Sequence, residues 1–158
     1  MEINLDSVDL QILNIMQTNA KIANVELARQ LEMAPSAVLE RVKKLEQKEV
    51  IKGYTTRIDP LAVQQKLLAF IFIKATDGMG TTETARCIAA IPEVQEVHHI
   101  AGEDCFLIKI RTADSASLMN IMRTRLSSIP RIVSTRTTIV LETVKEENTI
   151  IISKAPSL

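Results

Sequence analysis

Residues 24–46 hold two short helical patterns, Asn24–Leu31 and Pro35–Glu46, separated by Glu32-Met33-Ala34. Pro35 suits only the first turn of a helix, where its missing N–H goes unused and its fixed φ matches the helical value. One helix must therefore stop before it and a second begin at it. In the second pattern Val38, Val42 and Leu45 recur at i, i+4 and i+7, an apolar stripe made to be buried. Leu27, Ala28 and Leu31 supply the buried side of the first. Two short helices joined by a tight break and packed through such stripes form a helix-turn-helix.

The flanking residues complete a small unit. Asp6 and Asp9 beside Leu5, Ile12, Leu13 and Met16 predict an N-capped amphipathic helix ending near Thr18. Asn24 is expected to cap the next helix, with Glu26 facing its positive end. The third runs from Pro35 to about Glu49. Val50–Ile58 then switches to β-type residues, a wing that Asp59-Pro60 ends. Residues 1–58 are thus expected to form one domain and 59–66 a linker.

Beyond the linker the pattern predicts strand 67–75, turn 76–80, helix 81–91, strands 94–101 and 104–112, helix 114–127 and strand 132–144. A short last strand, 149–153, is expected to return along the sheet. The order β-α-β-β-α-β is the ferredoxin-like plan. It contains a weak repeat: Ile91-Pro92-Glu93-Val94 and Ile129-Pro130-Arg131-Ile132 each carry a helix into the next strand, with Pro stopping the helix. The fold class is α+β, a three-helix winged helix-turn-helix domain followed by a ferredoxin-like domain over 67–158.

Leu67-Leu68-Ala69-Phe70-Ile71-Phe72-Ile73 does not alternate apolar with polar residues, as expected of a strand covered on both faces. Two helices can cover one face of a four-stranded sheet. The other calls for a partner, and a second copy of the same sheet is the simplest, which predicts a homodimer.

Charge gives no help with function. The 158 residues carry 19 Lys and Arg against 19 Asp and Glu, so nucleic-acid binding must rest on where the basic groups sit. Aromatic residues are 3% of the chain and Trp is absent, which argues against platforms that stack single-stranded bases. No apolar run approaches the ~20 residues of a membrane span, and the N-terminal residues lack a secretory pattern. Cys87 and Cys105 have neither disulfide-scaffold nor zinc spacing. A reduced, cytoplasmic protein without membrane partners, metal or other cofactor is expected.

Projected at 100° per residue, Ser36, Ala37, Glu40, Lys43, Lys44 and Gln47 lie opposite the apolar stripe of the third helix, with Arg41 on a flank. In a recognition helix, early residues reach base edges and later basic ones meet phosphates of duplex DNA. Ser36, Ala37 and Glu40 are the candidates for base contact. Arg41, Lys43 and Lys44 are the candidates for phosphate contact, with Lys52 and Arg57 as outliers beyond the helix. The same composition also suits an ordinary solvated face, and the segment alone fits the two equally.

Leu5–Leu13, Asn24–Ala28, Pro35-Ser36, Arg41–Glu46 and Val50–Tyr54 together resemble the N-terminal half of Lrp/AsnC-type feast/famine regulators. Residues 67–144, with Gly102, Lys109 and the Ile129-Pro130 junction, resemble their effector-binding domain. The resemblance spans nearly the whole chain. It implies a non-enzymatic, homodimeric transcription regulator, often an octamer of four dimers, whose DNA binding responds to a small effector, usually an amino acid. It also implies an effector site at Gly102, Glu103, Asp104 and Cys105, with Thr137, Thr138 and Ile139 opposite. A carboxylate there can take an ammonium group, and backbone N–H or Thr hydroxyls an α-carboxylate. Gly102-Glu103-Asp104 fits a plain hairpin turn equally well.

The chain departs from the family pattern in several places. Glu32 stands where a turn Gly is usual, and a left-handed backbone there costs a non-Gly residue ~1 kcal/mol. Ala34 replaces a capping Ser, a loss of roughly 1 kcal/mol. Glu49 replaces a helix-ending Gly, and Cys105 replaces an acid. Sirohaem decarboxylases share the two-domain plan, but they usually carry Phe-Pro where this chain has Asn19-Ala20-Lys21-Ile22. A partner-binding sensor subunit without DNA binding is the third reading. His98 and His99 are adjacent on a strand and so point to opposite faces, which rules out a shared metal ion. Cys87 is expected to be a small core residue.

Overall fold

The computed structural model describes residues 4–76 and 82–152. It divides into two compact units: Met1–Thr56 together with the segment from Lys145 onward, and Arg57–Val144.

The first unit opens with α1, Ser7–Thr18. Asp6 is its N-cap: Oδ1 accepts from the Val8 and Asp9 N–H groups, both at 2.9 Å, while the Asp9 side chain accepts from the Asp6 N–H. This reciprocal box satisfies amides that have no helical partner. Helix α2, Asn24–Gln30, begins one residue earlier than a capping Asn24 would allow. Ala23 is its N-cap, and the freed Asn24 side chain instead donates from Nδ2 to the Pro35 carbonyl at 2.8 Å. Helix α3, Pro35–Gln47, starts with Pro35 and has Ala34 as an N-cap without a side-chain hydrogen bond. Ile12, Leu27, Ala28, Val38 and Leu45 form the core.

Both α2 and α3 end in the same way. Glu32 has φ 53° and Glu49 φ 56°. The Glu32 N–H reaches Arg29 O and the Met33 N–H reaches Ala28 O; the Glu49 N–H reaches Glu46 O and the Val50 N–H reaches Leu45 O. Each is a Schellman motif with glutamate at the left-handed position that glycine normally occupies. The expected wing, residues 50–58, runs on without forming a strand ladder. A strand needs another strand to pair with, and among the described residues this segment pairs with none.

The second unit is a four-stranded antiparallel sheet in the order β2-β3-β1-β4, with β1 Leu67–Ala75, β2 Val94–His99, β3 Phe106–Thr112 and β4 Ile132–Ile139. Helix α4, Glu83–Ala89, joins β1 to β2; α5, Ser115–Ile121, joins β3 to β4 and continues as a π turn over Met122–Leu126. This is the expected ferredoxin-like order, with each helix shorter than its sequence pattern. The expected turn 76–80 and the start of the 81–91 helix fall largely outside the described residues.

Ala69, Ile71 and Ile73 of β1 and Phe106, Ile108 and Ile110 of β3 pack with Ile88, Leu118, Ile121 and Leu126 of the helical layer. Alternation then puts Phe70, Phe72, Leu107 and Lys109 on the helix-free face. Ile91 and Ile129, the two residues before the repeated prolines, are both buried. Cys87, expected in the core, is exposed on α4; Thr84 and Ile88 are the buried residues of that helix. Among the described residues no fifth strand follows β4, and residue 153 of the expected strand 149–153 lies outside them. Instead, the Gln17 side chain of α1 takes up Ile150, accepting from its N–H and donating to its carbonyl, both at 2.9 Å. Among the described residues no helix is long and apolar enough to cross a membrane.

Candidate nucleic-acid interface and effector site

Helix α3 is mounted at three points: its apolar stripe in the core, the Asn24–Pro35 bond at its start, and Arg41 on its flank. Arg41 Nη1 lies 2.7 Å from Asp6 Oδ2 and 2.8 Å from Asp9 Oδ1. Arg41, expected to meet phosphate, is thus paired through Nη1 with two carboxylates of its own unit. Its guanidinium neutralises the two carboxylates that cap α1, and drawing it away to DNA would strip both of their partner. Asp6 is held below the usual carboxylate range by the Asp9 N–H and then by Arg41.

The remaining candidates stand on the outer surface. Ser36, Glu40, Lys43 and Lys44 are exposed and Ala37 is half-buried. Lys44 Nζ meets Glu40 Oε1 at 2.8 Å in an i, i+4 pair, which lowers the Glu40 carboxyl below its ordinary value. Both side chains remain largely exposed, so the pair is weak and open to exchange for a phosphate. The early residues Ser36 and Ala37 lie at the end of α3 where amide dipoles favour an anionic ligand. Beyond α3, Tyr54 donates to Glu46 Oε1 at 2.8 Å; burial first, and then this bond, push its phenol up to about 12.

In the second unit the seven candidate effector residues separate. Gly102 has φ 146°, within the region that favours glycine, and opens the turn between β2 and β3. Glu103 beside it is exposed. Asp104 Oδ2 accepts from Arg136 Nη2 at 3.1 Å, and the Arg136 guanidinium sits 4.1 Å over the Phe72 ring. Arg136 was not among the sequence candidates. Its only sequence signal is a lone basic residue in β4, two positions before Thr138 on the same face.

Cys105 does not point to a ligand. Its Sγ donates to Ala75 O at 3.3 Å and accepts from Ala75 N at 3.5 Å, bridging the place where the β1–β4 register slips. A small soft side chain fits against the backbone there. The Thr137 hydroxyl is turned to Met122 Sδ at 3.7 Å, on the helix-covered face. Thr138 is exposed on the opposite face, and Ile139 is 48% exposed at the strand end. Phe106, Ile73 and Thr135 lie in line across the sheet, so Thr137 to Ile139 fall two to four residues further along, about 7–14 Å from that line. Within one chain the turn and the threonines do not face each other.

The two histidines divide as expected. His98 Nε2 contacts Glu96 Oε2 at 3.1 Å, and Glu96 also pairs with Lys109. His99 stacks on Phe106 with ring centroids 4.9 Å apart. Among the described residues no group of three His, Cys, Asp or Glu side chains is placed to hold a metal ion.

A helix-turn-helix unit followed by a βαββαβ sheet domain defines a class of two-domain regulators, and comparison with known proteins agrees. Residues 5–46 match the AsnC-type helix-turn-helix domain, and residues 68–150 match the Lrp/AsnC ligand binding domain. The chain is 36% identical over 150 residues to the leucine-responsive regulatory protein of Haemophilus influenzae, covering 94% of this chain and 90% of that one. It is similar in structure to the M. tuberculosis feast or famine regulatory protein complexed with L-methionine, with TM-score 0.86, 29% identity, and coverage of 94% and 99%. A transcriptional regulator from Neisseria meningitidis in complex with L-methionine superposes with TM-score 0.86 at 26% identity, covering 94% of this chain and 97% of that one. The chain belongs to the Lrp/AsnC family of transcription regulators.

Proposed function

We propose that this chain binds duplex DNA as a homodimer, with further assembly to octamers, and that an amino-acid effector alters that binding. The observation that carries the reading is the mounting of α3. Its inner side is fixed by Val38, Leu45, Asn24 and Arg41, which leaves Ser36, Ala37, Glu40, Lys43 and Lys44 presented outward. Ser36, Ala37 and Glu40 face base edges in the major groove, and Lys43 and Lys44 neutralise phosphates. Two such helices in a dimer, about one DNA turn apart, favour near-palindromic sites. The second copy covers the face that carries Phe70, Phe72 and Leu107, which the two helices leave open.

The effector reading rests on Asp104 and Arg136 with the Gly102-Glu103 turn. An amino acid is a zwitterion, and this pair offers a carboxylate for its ammonium group and a guanidinium for its α-carboxylate. Arg136 is 65% exposed on its side chain, so the pair can open to admit a ligand. Thr138 lies on the same face as Arg136, whereas Cys105 and Thr137 shape the sheet from behind. The relatives complexed with L-methionine support an amino acid as the ligand. The protein acts by binding and not by catalysis, and in the cytoplasm, where its DNA is.

Fluorescence anisotropy with DNA from the gene's own upstream region, under excess nonspecific competitor and with an amino-acid panel, tests this. Saturable binding that resists competitor and shifts with one amino acid is expected. No binding at low salt by folded protein overturns it.

A further inference from the structure

The chain crosses between its two units twice, at Thr56–Arg57 and again at Val144–Lys145. The second crossing is unusual for a segment that follows the last strand of a sheet. β4 ends at Ile139, the Val140 N–H still reaches Leu68 O, and from Lys145 the chain belongs to the helical unit. There the Gln17 carboxamide holds Ile150 by both of its main-chain groups. Gln17 Nε2 is also 3.2 Å from Asn14 Oδ1, which fixes the orientation of the amide.

We propose that residues 140–152 form a strap, latched to α1 by Gln17, through which a change at β4 reaches the DNA-binding helix. This rests on the effector reading above. The parts of the path are in place. Arg136 and Thr138 lie on β4, and the strap continues directly from that strand. The latch sits at the last turn of α1, while the first turn of the same helix holds Arg41 of α3 through Asp6 and Asp9. A 12-residue helix is a stiff rod of about 18 Å, so a pull or release at Gln17 bears on the end that fixes α3.

The latch is also suited to release. Gln17 is exposed, and so are most of the strap's apolar residues: Leu141 is 98% exposed and Ile151 96%, with Val140 and Ile152 half-buried. Two hydrogen bonds in reach of water favour the docked segment by about tenfold to a hundredfold. That is enough to populate the latched state and little enough for a ligand preferring one state to reverse it.

Gln17→Ala in the full chain removes both bonds and touches neither α3 nor the Asp104–Arg136 pair. Hydrogen exchange read by mass spectrometry should show a peptide spanning Ile150 protected in the parent and exchanging at least fivefold faster in the variant, with α1 to α3 unchanged. DNA affinity without amino acid should move toward the value that the parent shows with its amino acid bound, while the further shift caused by L-methionine or L-leucine is lost. Ile150→Pro, which deletes the N–H that Gln17 Oε1 accepts, should likewise abolish the amino-acid shift and add nothing to Gln17→Ala. Equal exchange in parent and variant overturns the strap, and a full-sized amino-acid shift in both variants overturns its role in coupling. A parent that binds no DNA, or ignores both amino acids, instead overturns the function proposed above, and with it the coupling role; the exchange result then decides the strap alone.

Discussion

Arg41 and Asp6, 35 positions apart, meet at 2.7 Å and join the recognition helix to the cap of the first helix. A basic residue on a recognition helix is ordinarily assigned to phosphate. Here the nearest anions are the protein's own, and the pair fixes α3 in place.

Asp6→Ala should lower the stability of the helical unit by about 1–2 kcal/mol, because it removes both the cap and one partner of Arg41. Asp6→Asn keeps a capping oxygen and should cost less. Asp6 has a lowered folded-state pKa, from the Asp9 N–H first and Arg41 after it. Its contribution is therefore present above its unfolded pKa and lost as pH falls through the folded value. Urea midpoints at pH 7 and pH 3 measure this. The parent should lose more stability on acidification than Asp6→Ala does.

Glu32→Gly and Glu49→Gly should each stabilise the helical unit by about 1 kcal/mol. Both residues hold the left-handed backbone of a Schellman motif, at φ 53° and 56°, and glycine removes the Cβ clash there. Ala34→Ser should add a similar amount by supplying the missing cap of α3. Urea denaturation monitored by far-ultraviolet circular dichroism gives the sign directly; a loss of stability at either glutamate would show that the strain is absent.

Lys43→Ala and Lys44→Ala should each weaken DNA binding across all sequences and lower the salt slope by about one. Arg41→Ala should behave differently. It should destabilise the folded unit by roughly 1 kcal/mol and leave the salt slope of the remaining folded protein unchanged. Anisotropy titrations over a range of salt separate the two cases, and a slope lowered by Arg41→Ala would return that residue to the phosphate contacts.

Tyr54 is the chain's single tyrosine and there is no tryptophan, so its ionisation can be followed cleanly at 295 nm. The phenolate should appear near pH 12, held back by burial and by the bond to Glu46. Glu46→Gln should bring the midpoint down. A raised folded-state pKa means that this contribution is whole below pH ~10 and is lost as pH rises toward 12.

Much of the architecture could be read locally. The Asp6–Asp9 capping box, Pro35 opening α3, the stripe of Val38, Val42 and Leu45, and the two Ile-Pro junctions are short-range patterns whose consequences play out within a turn or two of chain. The left-handed sites at Glu32 and Glu49 were legible only through the family resemblance, in which glycine usually stands at both positions. Asn24 was misjudged because its side chain had two uses, capping its own helix or tying down the next. The second is set by where Pro35 lies in space.

The functional residues were less legible, because a side chain's partner is chosen by distance in space and not along the chain. Helical spacing put Arg41 on a flank, but only the packing of α3 against α1 brought it to two carboxylates. The turn at Gly102 was visible as a turn, but the Arg136 partner of Asp104 was not, since the two are 32 positions apart with β3 and α5 between them. Cys105 and Thr137 each stand beside candidate effector residues in sequence, but the sheet gives them inward partners, Ala75 and Met122. The amino-acid sequence by itself determined the elements, their order and the fold, all of which follow from periodicity and backbone chemistry. Tertiary structure alone decided which polar groups are used up in holding that fold and which remain for a ligand, because that depends on contacts between residues distant in the chain.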